Sequence, residues 1–388
     1  MDAIDNLLTR GVDKIYPSRE PLEKVLRSGK KLRLYQGFDP SGAHLHIGHA
    51  VAMRKLRQFQ ELGHQVIFLI GDFTGMIGDP TGKQTARKRL SREEVLINAK
   101  AYKEQANKIL RFDGENPVEI KFNNDWLSKL TFADVLELTS QFSVQQMIER
   151  DMFQQRLKNN QEISLVEFLY PVMVAYDAIA MSVDLELGGS DQTFNMLAGR
   201  RLHERTLHKE KFVMTVPLLT DAKGTKIGKT EDNVIGITDP PNELYGKIMA
   251  LGDEAIVNCF TLLTDTPLEK IDTMQKKMDK GEENPMVFKK RLAFELTKQF
   301  NNDQAAQAAQ AEFERVHQKG TSFSATAVSV SARRVIDALI QTKVSKSEAK
   351  RLIEQEAIDL NDKTIHNDME VNDGDIIRIG KKKFIKII

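Results

Sequence analysis

Along roughly the first 220 residues, short apolar runs alternate with longer stretches of helical period. Leu32–Phe38 is an apolar run that ends in the turn Asp39-Pro40-Ser41-Gly42, helical spacing follows from about Ile47 to Leu62, and Gln65–Ile70 is a second apolar run closing on Gly71-Asp72. Strand, helix and strand with short links make a βαβ unit, which requires a parallel sheet with helices on its faces. Strand-like runs recur at Val118–Phe122, Asp184–Leu187 and Phe212–Leu219. The stretch between about Thr85 and Leu169 is mostly helical in pattern and reads as an insertion between two halves of the sheet.

From Pro240 to His317 the pattern is helical throughout, and the Ala/Gln-rich segment Asp303–Glu314 is read as an exposed helix because its composition favours one. Small polar residues at Gly320–Thr326 mark a linker. From about Val328 two helical stretches precede β-like pieces at Ala357–Leu360, Asp375–Ile379 and Lys383–Ile388, a separate small α+β domain.

Composition narrows this picture only a little. The 388 residues, 41% hydrophobic and 29% charged, are too many for one compact core. With 56 basic and 55 acidic residues the net charge is +1, so any nucleic-acid surface has to be local. One cysteine, Cys259, excludes a disulfide framework and a cysteine-rich zinc site. Met1–Tyr16 lacks the apolar core of a signal peptide, no apolar run approaches the ~20 residues that span a bilayer, and a cytoplasmic protein is expected.

Two motifs carry chemistry. In the first, Gly37-Phe38-Asp39-Pro40-Ser41-Gly42-Ala43-His44-Leu45-His46-Ile47-Gly48-His49, a strand hands over to a helix at the carboxyl edge of a parallel sheet, where nucleotides bind in such folds. His46 and His49 are three apart and share a face of the first helical turn, Gly48 leaves room for a flat ring over the backbone, and the helix N-terminus favours negative charge. These groups suit the phosphates of ATP. In the second, Lys226-Ile227-Gly228-Lys229-Thr230, two lysines three apart on a glycine-bearing loop can close over a triphosphate.

His46-Ile47-Gly48-His49 resembles the "HIGH" signature of class I aminoacyl-tRNA synthetases, and Lys226–Thr230 the tyrosyl form of their "KMSKS" loop. Together they make the chain similar, from end to end, to bacterial-type tyrosyl-tRNA synthetases. The resemblance implies an α/β fold with a Rossmann-like parallel sheet and helical insertion, then an all-helical domain and a small α+β S4-like domain. It implies a ligase that activates L-tyrosine with ATP and Mg2+ and transfers it to tRNA(Tyr). The expected organisation is a catalytic domain over 1–235 with its insertion at about 85–169, a helical anticodon-arm domain over 236–320 and an S4-like RNA-binding domain over 328–388. Trp126–Met152, within the insertion, is the candidate homodimer interface. No membrane partner and no protein-held metal are expected.

Carried over by this resemblance, His46 and His49 stabilise the ATP phosphates while Lys226, Lys229 and Thr230 hold the pyrophosphate. Tyr35 and Asp177 bind the substrate phenol, Asp79 and Tyr170 its ammonium group, and Gln192 assists. Gly37, Asp39, Gly48, Gly188 and Asp191 line the nucleotide side. Tyr170 and Asp177 are seven apart, two helical turns on one face. Gly188-Gly189-Ser190-Asp191-Gln192-Thr193-Phe194-Asn195 matches the ribose and adenylate contact region in the subgroup that lacks a tryptophan after the glutamine.

At two places the chain departs from the pattern. Val174 stands where many members carry a glutamine, and valine cannot accept a hydrogen bond from an ammonium group. Glu356-Ala357 stands where Gly-Gly often follows the S4 helix. Lys346, Lys350 and Arg351 recur on one face of that helix, in a domain with 12 basic and 10 acidic residues from Val328 on, and suit phosphate contacts on RNA. A tryptophanyl-tRNA synthetase, which would have to accommodate an indole N–H and normally lacks an S4 domain, is disfavoured by Tyr35, Asp177 and the C-terminal domain. A small-molecule nucleotidyltransferase would need neither the lysine loop nor the RNA module, and a non-catalytic RNA-binding paralogue would be expected to lose His46, His49 or Lys226.

Overall fold

A computed structural model describes residues 2–81, 90–221, 226–227, 234–318, 328–342, 344–361, 363–380 and 383–387. The chain divides into two compact units, Met1–Gln307 and Ala308–Ile388. In the first, strands β1 (Lys14–Tyr16), β2 (Arg33–Phe38), β3 (Gln65–Ile70), β4 (Glu119–Phe122), β5 (Leu185–Gly189) and β6 (Phe212–Val216) form one sheet in the order β1-β6-β5-β2-β3-β4. All pairings are parallel except β1 with β6. The apolar runs that mark β3, β5 and β6 are buried almost without interruption, as strands covered by helices on both faces must be.

Strands β2, β3 and β4 proceed outward in one direction, and β5 and β6 continue from the other side of β2. The order therefore reverses between β2 and β5, the place where ligands bind in open α/β sheets. The pairing of β2 with β5 covers only Leu34↔Leu185 and Tyr35↔Glu186. Beyond it the carboxyl ends of the two strands part, and a cavity opens between them.

Two readings of the sequence need correction. Strand β4 is the edge of the sheet, so 85–169 is not one helical insertion: the helix Arg92–Ala106 is a sheet crossover, and the segment after β4, with helices at Phe132–Ser140, Val144–Ile148 and Asp151–Lys158, lies between the halves. Strand β6 stops at Val216 rather than Leu219, because Pro217 has no N–H to continue a ladder.

Helices Pro241–Met249, Ala255–Leu263, Leu268–Asp279, Pro285–Phe300 and Asp303–Gln318 follow, as their pattern predicts. The second unit is α+β. Beyond the end of the helix Asp303–Gln318, it has a strand that the sequence reading missed, β7 (Val328–Val330), which pairs parallel with β11 (Lys383–Ile387). With β8 (Ile358–Leu360), β9 (Lys363–Thr364) and β10 (Ile376–Ile379) it forms a sheet ordered β7-β11-β10-β8-β9, accompanied by helices Val335–Gln341 and Lys346–Glu354. A three-residue strand is too short to show an alternation of its own. The expected linker at 320–326 lies outside the described residues. Among the described residues no helix is long and apolar enough to cross a membrane.

Candidate active site at the sheet's switch point

The helix Ile47–Glu61 begins with an unusual cap made of the two histidines. His46 is the N-cap, and its Nδ1 accepts from the Gly48 N–H at 3.1 Å while its own N–H donates to His49 Nδ1 at 3.2 Å. The rings lie 3.9 Å apart between centroids. With both Nδ1 atoms accepting, a neutral ring carries its proton on Nε2 and presents it as a donor. The space that glycine leaves at 48 is occupied by His46: a Cβ there would stand 2.9 Å from His46 Cε1 and 3.0 Å from Nδ1. Gly48 therefore serves the cap as well as any ligand.

Lys226 and Ile227, the described residues of the lysine motif, lie beside this cap although Lys226 comes 180 residues after His46. Ile47 N–H donates to the Ile235 carbonyl at 3.0 Å and Ile237 N–H to the Leu45 carbonyl at 3.1 Å, while Ile227 N–H donates back to Leu219 at 2.8 Å. The Ile227 carbonyl is 3.9 Å from where a Cβ on Gly48 would be. Lys226 Nζ pairs with Asp191 at 2.6 Å, both side chains partly exposed. Lys229 and Thr230 lie outside the described residues.

Helix Leu165–Met181 carries Tyr170, Val174 and Asp177 along one face, and all three line the cavity with Tyr35, Asp79 and Gln192. Tyr170 Oη donates to Asp39 Oδ2 at 2.8 Å, and Thr74 Oγ1 to Asp39 Oδ1 at 2.7 Å. Gln192 Nε2 donates to Asp79 Oδ2 at 2.7 Å, while Thr81 donates twice to Asp79 Oδ1. On the nucleotide side Gly37, Asp39, His46, Gly48, His49, Gly188, Asp191 and Lys226 all face the same space.

At the floor, Asp177 is only 2% exposed. Its carboxylate accepts from Trp126 Nε1 at 2.7 Å and Asn123 Nδ2 at 3.2 Å. Burial pushes its pKa well above the carboxylate range, opposed by those two hydrogen bonds. Tyr35, 1% exposed, has a buried hydroxyl without a hydrogen-bond partner of good geometry. Burial, with the Glu186 and Asp177 carboxylates near, raises its pKa. Behind it Lys211 and Glu186 form a buried ion pair, with Lys211 Nζ 5.9 Å from the centre of the Tyr35 ring. Burial lowers the pKa of Lys211 despite that partner.

Sequence reasoning missed Asn123, Trp126, Thr74, Glu186 and Lys211. Asn123 and Trp126 meet Asp177 across a separation of more than 50 residues, and no spacing rule reaches that far. An acidic residue inside the apolar strand Leu185–Gly189 was the one usable signal, since such a residue is retained only when it is paired. Arg150 was also missed; its guanidinium lies 4.6 Å from the ring centre of Phe194 and donates to Thr81 at 2.7 Å.

In the second unit, Lys346, Lys350 and Arg351 are all exposed, while Ala349 and Ile353 of the same helix are buried. Arg334, just before the helix Val335–Gln341, is not available in the same way, because it is paired with Asp368 at 2.7 Å. Glu356 adopts φ +55°, the left-handed conformation that glycine would take at lower cost, so the turn is kept without the glycine. Among the described residues no group of three or more His, Cys, Asp or Glu could hold a metal ion.

A doubly wound sheet with a histidine-capped helix and a lysine loop at its switch point defines a nucleotide-dependent enzyme. Residues 27–318 match the family described as tRNA synthetases class I (W and Y), and the chain belongs to that family. It is 42% identical over 389 residues to the tyrosine–tRNA ligase of Thermotoga maritima, covering 98% of this chain and 96% of the relative. It is 43% identical over 393 residues to that of Dehalococcoides mccartyi, covering 99% and 98%. Its fold is similar to the crystal structure of a tyrosyl-tRNA synthetase complexed with L-tyrosine from Archaeoglobus fulgidus, with a TM-score of 0.62 and 20% identity over 80% of this chain and 100% of that one.

Proposed function

We propose that the chain is a tyrosine–tRNA ligase whose two half-reactions share the cavity between β2 and β5. The tyrosine carboxylate attacks the α-phosphorus of ATP, the bond to the β-phosphate oxygen breaks, and pyrophosphate leaves. The terminal ribose hydroxyl of tRNA(Tyr) then attacks the acyl carbon of tyrosyl-adenylate, and AMP departs. The carboxylate is already a nucleophile, so the first step needs positioning and charge stabilisation rather than a general base. The observation that carries this reading is the cavity floor: the Tyr35 hydroxyl, which lacks a well-aligned hydrogen bond, and the buried carboxylate of Asp177 beside a histidine cap suited to phosphates.

In this reading the phenol of tyrosine reaches Tyr35 and Asp177, and phenylalanine would leave the Tyr35 hydroxyl unanswered and bring Asp177 no further donor. Asp79, Tyr170 and Gln192 take the ammonium group, with Val174 contributing no acceptor. His46 and His49 offer Nε2–H to the phosphates. Lys226 leaves Asp191 for the pyrophosphate, joined by Lys229 and Thr230, and Asp191 is freed for the ribose. Gly37, Gly48 and Gly188 line the approach and Asp39 holds Tyr170. Mg2+ arrives with the ATP phosphates.

We assign catalysis to 1–235, the anticodon arm to 236–320 and RNA-backbone contacts through Lys346, Lys350 and Arg351 to 328–388, in the cytoplasm. A homodimer is favoured by the helix Phe132–Ser140, apolar yet burying none of its residues, with Phe132 78% and Leu136 56% exposed. Leu136→Asp should turn a dimer into a monomer in sedimentation, and a monomeric unaltered chain would sink that assignment. For the activity, pyrophosphate–ATP exchange with each of the twenty amino acids should respond to tyrosine alone. Equal exchange with phenylalanine would overturn the reading.

A further inference from the structure

The turn between β2 and the histidine cap has almost no structure of its own. Ser41 to His44 are exposed to solvent, and its one local hydrogen bond runs from Ser41 N–H to the Asp39 carbonyl at 2.7 Å. Every other described backbone hydrogen bond between Pro40 and Leu45 goes to a distant partner. The Leu45 carbonyl takes Ile237 N–H. The remaining four go to three side chains on the helix Arg92–Ala106. Asn98 Nδ2 donates to the Pro40 carbonyl at 3.0 Å, and Tyr102 Oη to the Gly42 carbonyl at 2.8 Å. Gln105 works in both directions, its Nε2 donating to Ala43 O and its Oε1 accepting from Leu45 N–H, each at 2.7 Å.

Positions 98, 102 and 105 recur at helical spacing, so one face of this helix matches the run of the turn. Tyr102 and Gln105 are themselves buried, with few other conformations open to them. The helix is held at its start by a reciprocal cap between Ser91 and Glu94.

We propose that Asn98, Tyr102 and Gln105 are positioning residues for adenylate formation: they template the turn Pro40–Leu45 and thereby set the two histidines relative to the nucleotide. This rests on the ligase reading above. The link to the histidines is short. Gln105 holds Leu45 N–H, and the next residue is the N-cap whose ring orientation depends on its own backbone. The tyrosine end of the cavity is built on Tyr35, Asp177, Asp79 and the Asp39–Tyr170 pair; Gln105 and Tyr102 hold the turn at its histidine end, away from Asp39, so these two act on the nucleotide half.

The test separates the halves. Trp126, the only tryptophan, bonds to Asp177 and reports tyrosine binding by fluorescence without any chemistry. Gln105→Met, which keeps the volume and removes both hydrogen bonds, should slow single-turnover adenylate formation at saturating ATP and tyrosine about tenfold or more while leaving the tyrosine Kd within about twofold. Tyr102→Phe, the milder change, should slow it about threefold, and Gln105→Glu, which keeps the acceptor for Leu45 N–H, should recover part of the loss. In a His46→Ala, His49→Ala background Gln105→Met should cost less than about twofold, because there is then nothing left to position. An undiminished rate in both Gln105→Met and Tyr102→Phe, a parallel loss of tyrosine binding, or an equal loss with and without the histidines would overturn the proposal. Tyrosine-dependent adenylate formation by the unaltered chain tests the ligase reading separately, and its absence would overturn both.

Discussion

Replacing Gly71 by alanine should disable tyrosine binding through a residue that itself carries no chemistry. A Cβ at this position would stand 2.0 Å from Asp39 Oδ1 and 2.4 Å from Thr74 Oγ1, far inside van der Waals contact. The Asp39 carboxylate has to move, and in moving it gives up the hydrogen bonds from Thr74 at 2.7 Å and Tyr170 at 2.8 Å. Hydrogen bonds to a charged acceptor contribute about 1.5–3 kcal/mol each, so losing both costs of order 3–6 kcal/mol, toward the lower end because the cavity is open and water can replace part of the loss. Tyr170 then loses the partner that aims its hydroxyl, and tyrosine affinity should fall about 10- to 100-fold, or roughly 1.4–2.8 kcal/mol. Urea midpoints give the stability term and a tyrosine titration of Trp126 fluorescence gives the affinity term. In a Tyr170→Phe background the affinity cost of Gly71→Ala should shrink below about threefold. If Gly71→Ala binds tyrosine within twofold of the unaltered chain at an unchanged urea midpoint, the packing argument is wrong.

Other expectations concern single groups. Tyr35→Phe removes a buried hydroxyl that lacks a well-aligned hydrogen bond although the Glu186 carboxylate is near, so it should change urea stability by less than about 1 kcal/mol while weakening the preference for tyrosine over phenylalanine in pyrophosphate exchange; a larger destabilisation would show that the hydroxyl is already firmly paired. Val174→Gln supplies an acceptor beside the ammonium position, and tyrosine affinity should rise; a loss of affinity would refute the idea that an acceptor is simply missing. His64 is buried, its Nδ1 accepts Leu32 N–H at 3.1 Å, and burial next to Lys31 lowers its pKa from 6.5 to about 4. The unfolded chain takes up this proton below about pH 6.5 and the folded chain only near 4. The associated stability is therefore complete above 6.5 and drains as the pH falls towards 4, by of order 2 kcal/mol after allowance for solvent screening. His64→Asn keeps an acceptor and should flatten that limb between pH 7.5 and 4; an unchanged slope would show that other groups cause it.

By itself the sequence determined what is local and periodic. The βαβ unit from Arg33 to Ile70 was legible because strand and helix periods alternate with short links, and Gln65–Ile70 was bounded to the residue. The histidine pair could be placed on a helix start because three residues make nearly one turn, and Tyr170, Val174 and Asp177 on one face for the same reason. Family resemblance then joined segments that no periodicity connects. Tertiary structure alone decided the partners of those residues. Asp177 is held by Asn123 and Trp126, Asp39 by Thr74 and Tyr170, and the turn before the histidines by side chains 58 to 62 residues away. Such pairings follow from which elements the sheet order brings side by side, and chain separation carries no trace of that. Burial adds the second reason: whether Glu186 with Lys211 is a surface pair or a buried one is set by the helices that cover the sheet, and only a folded chain has covered them.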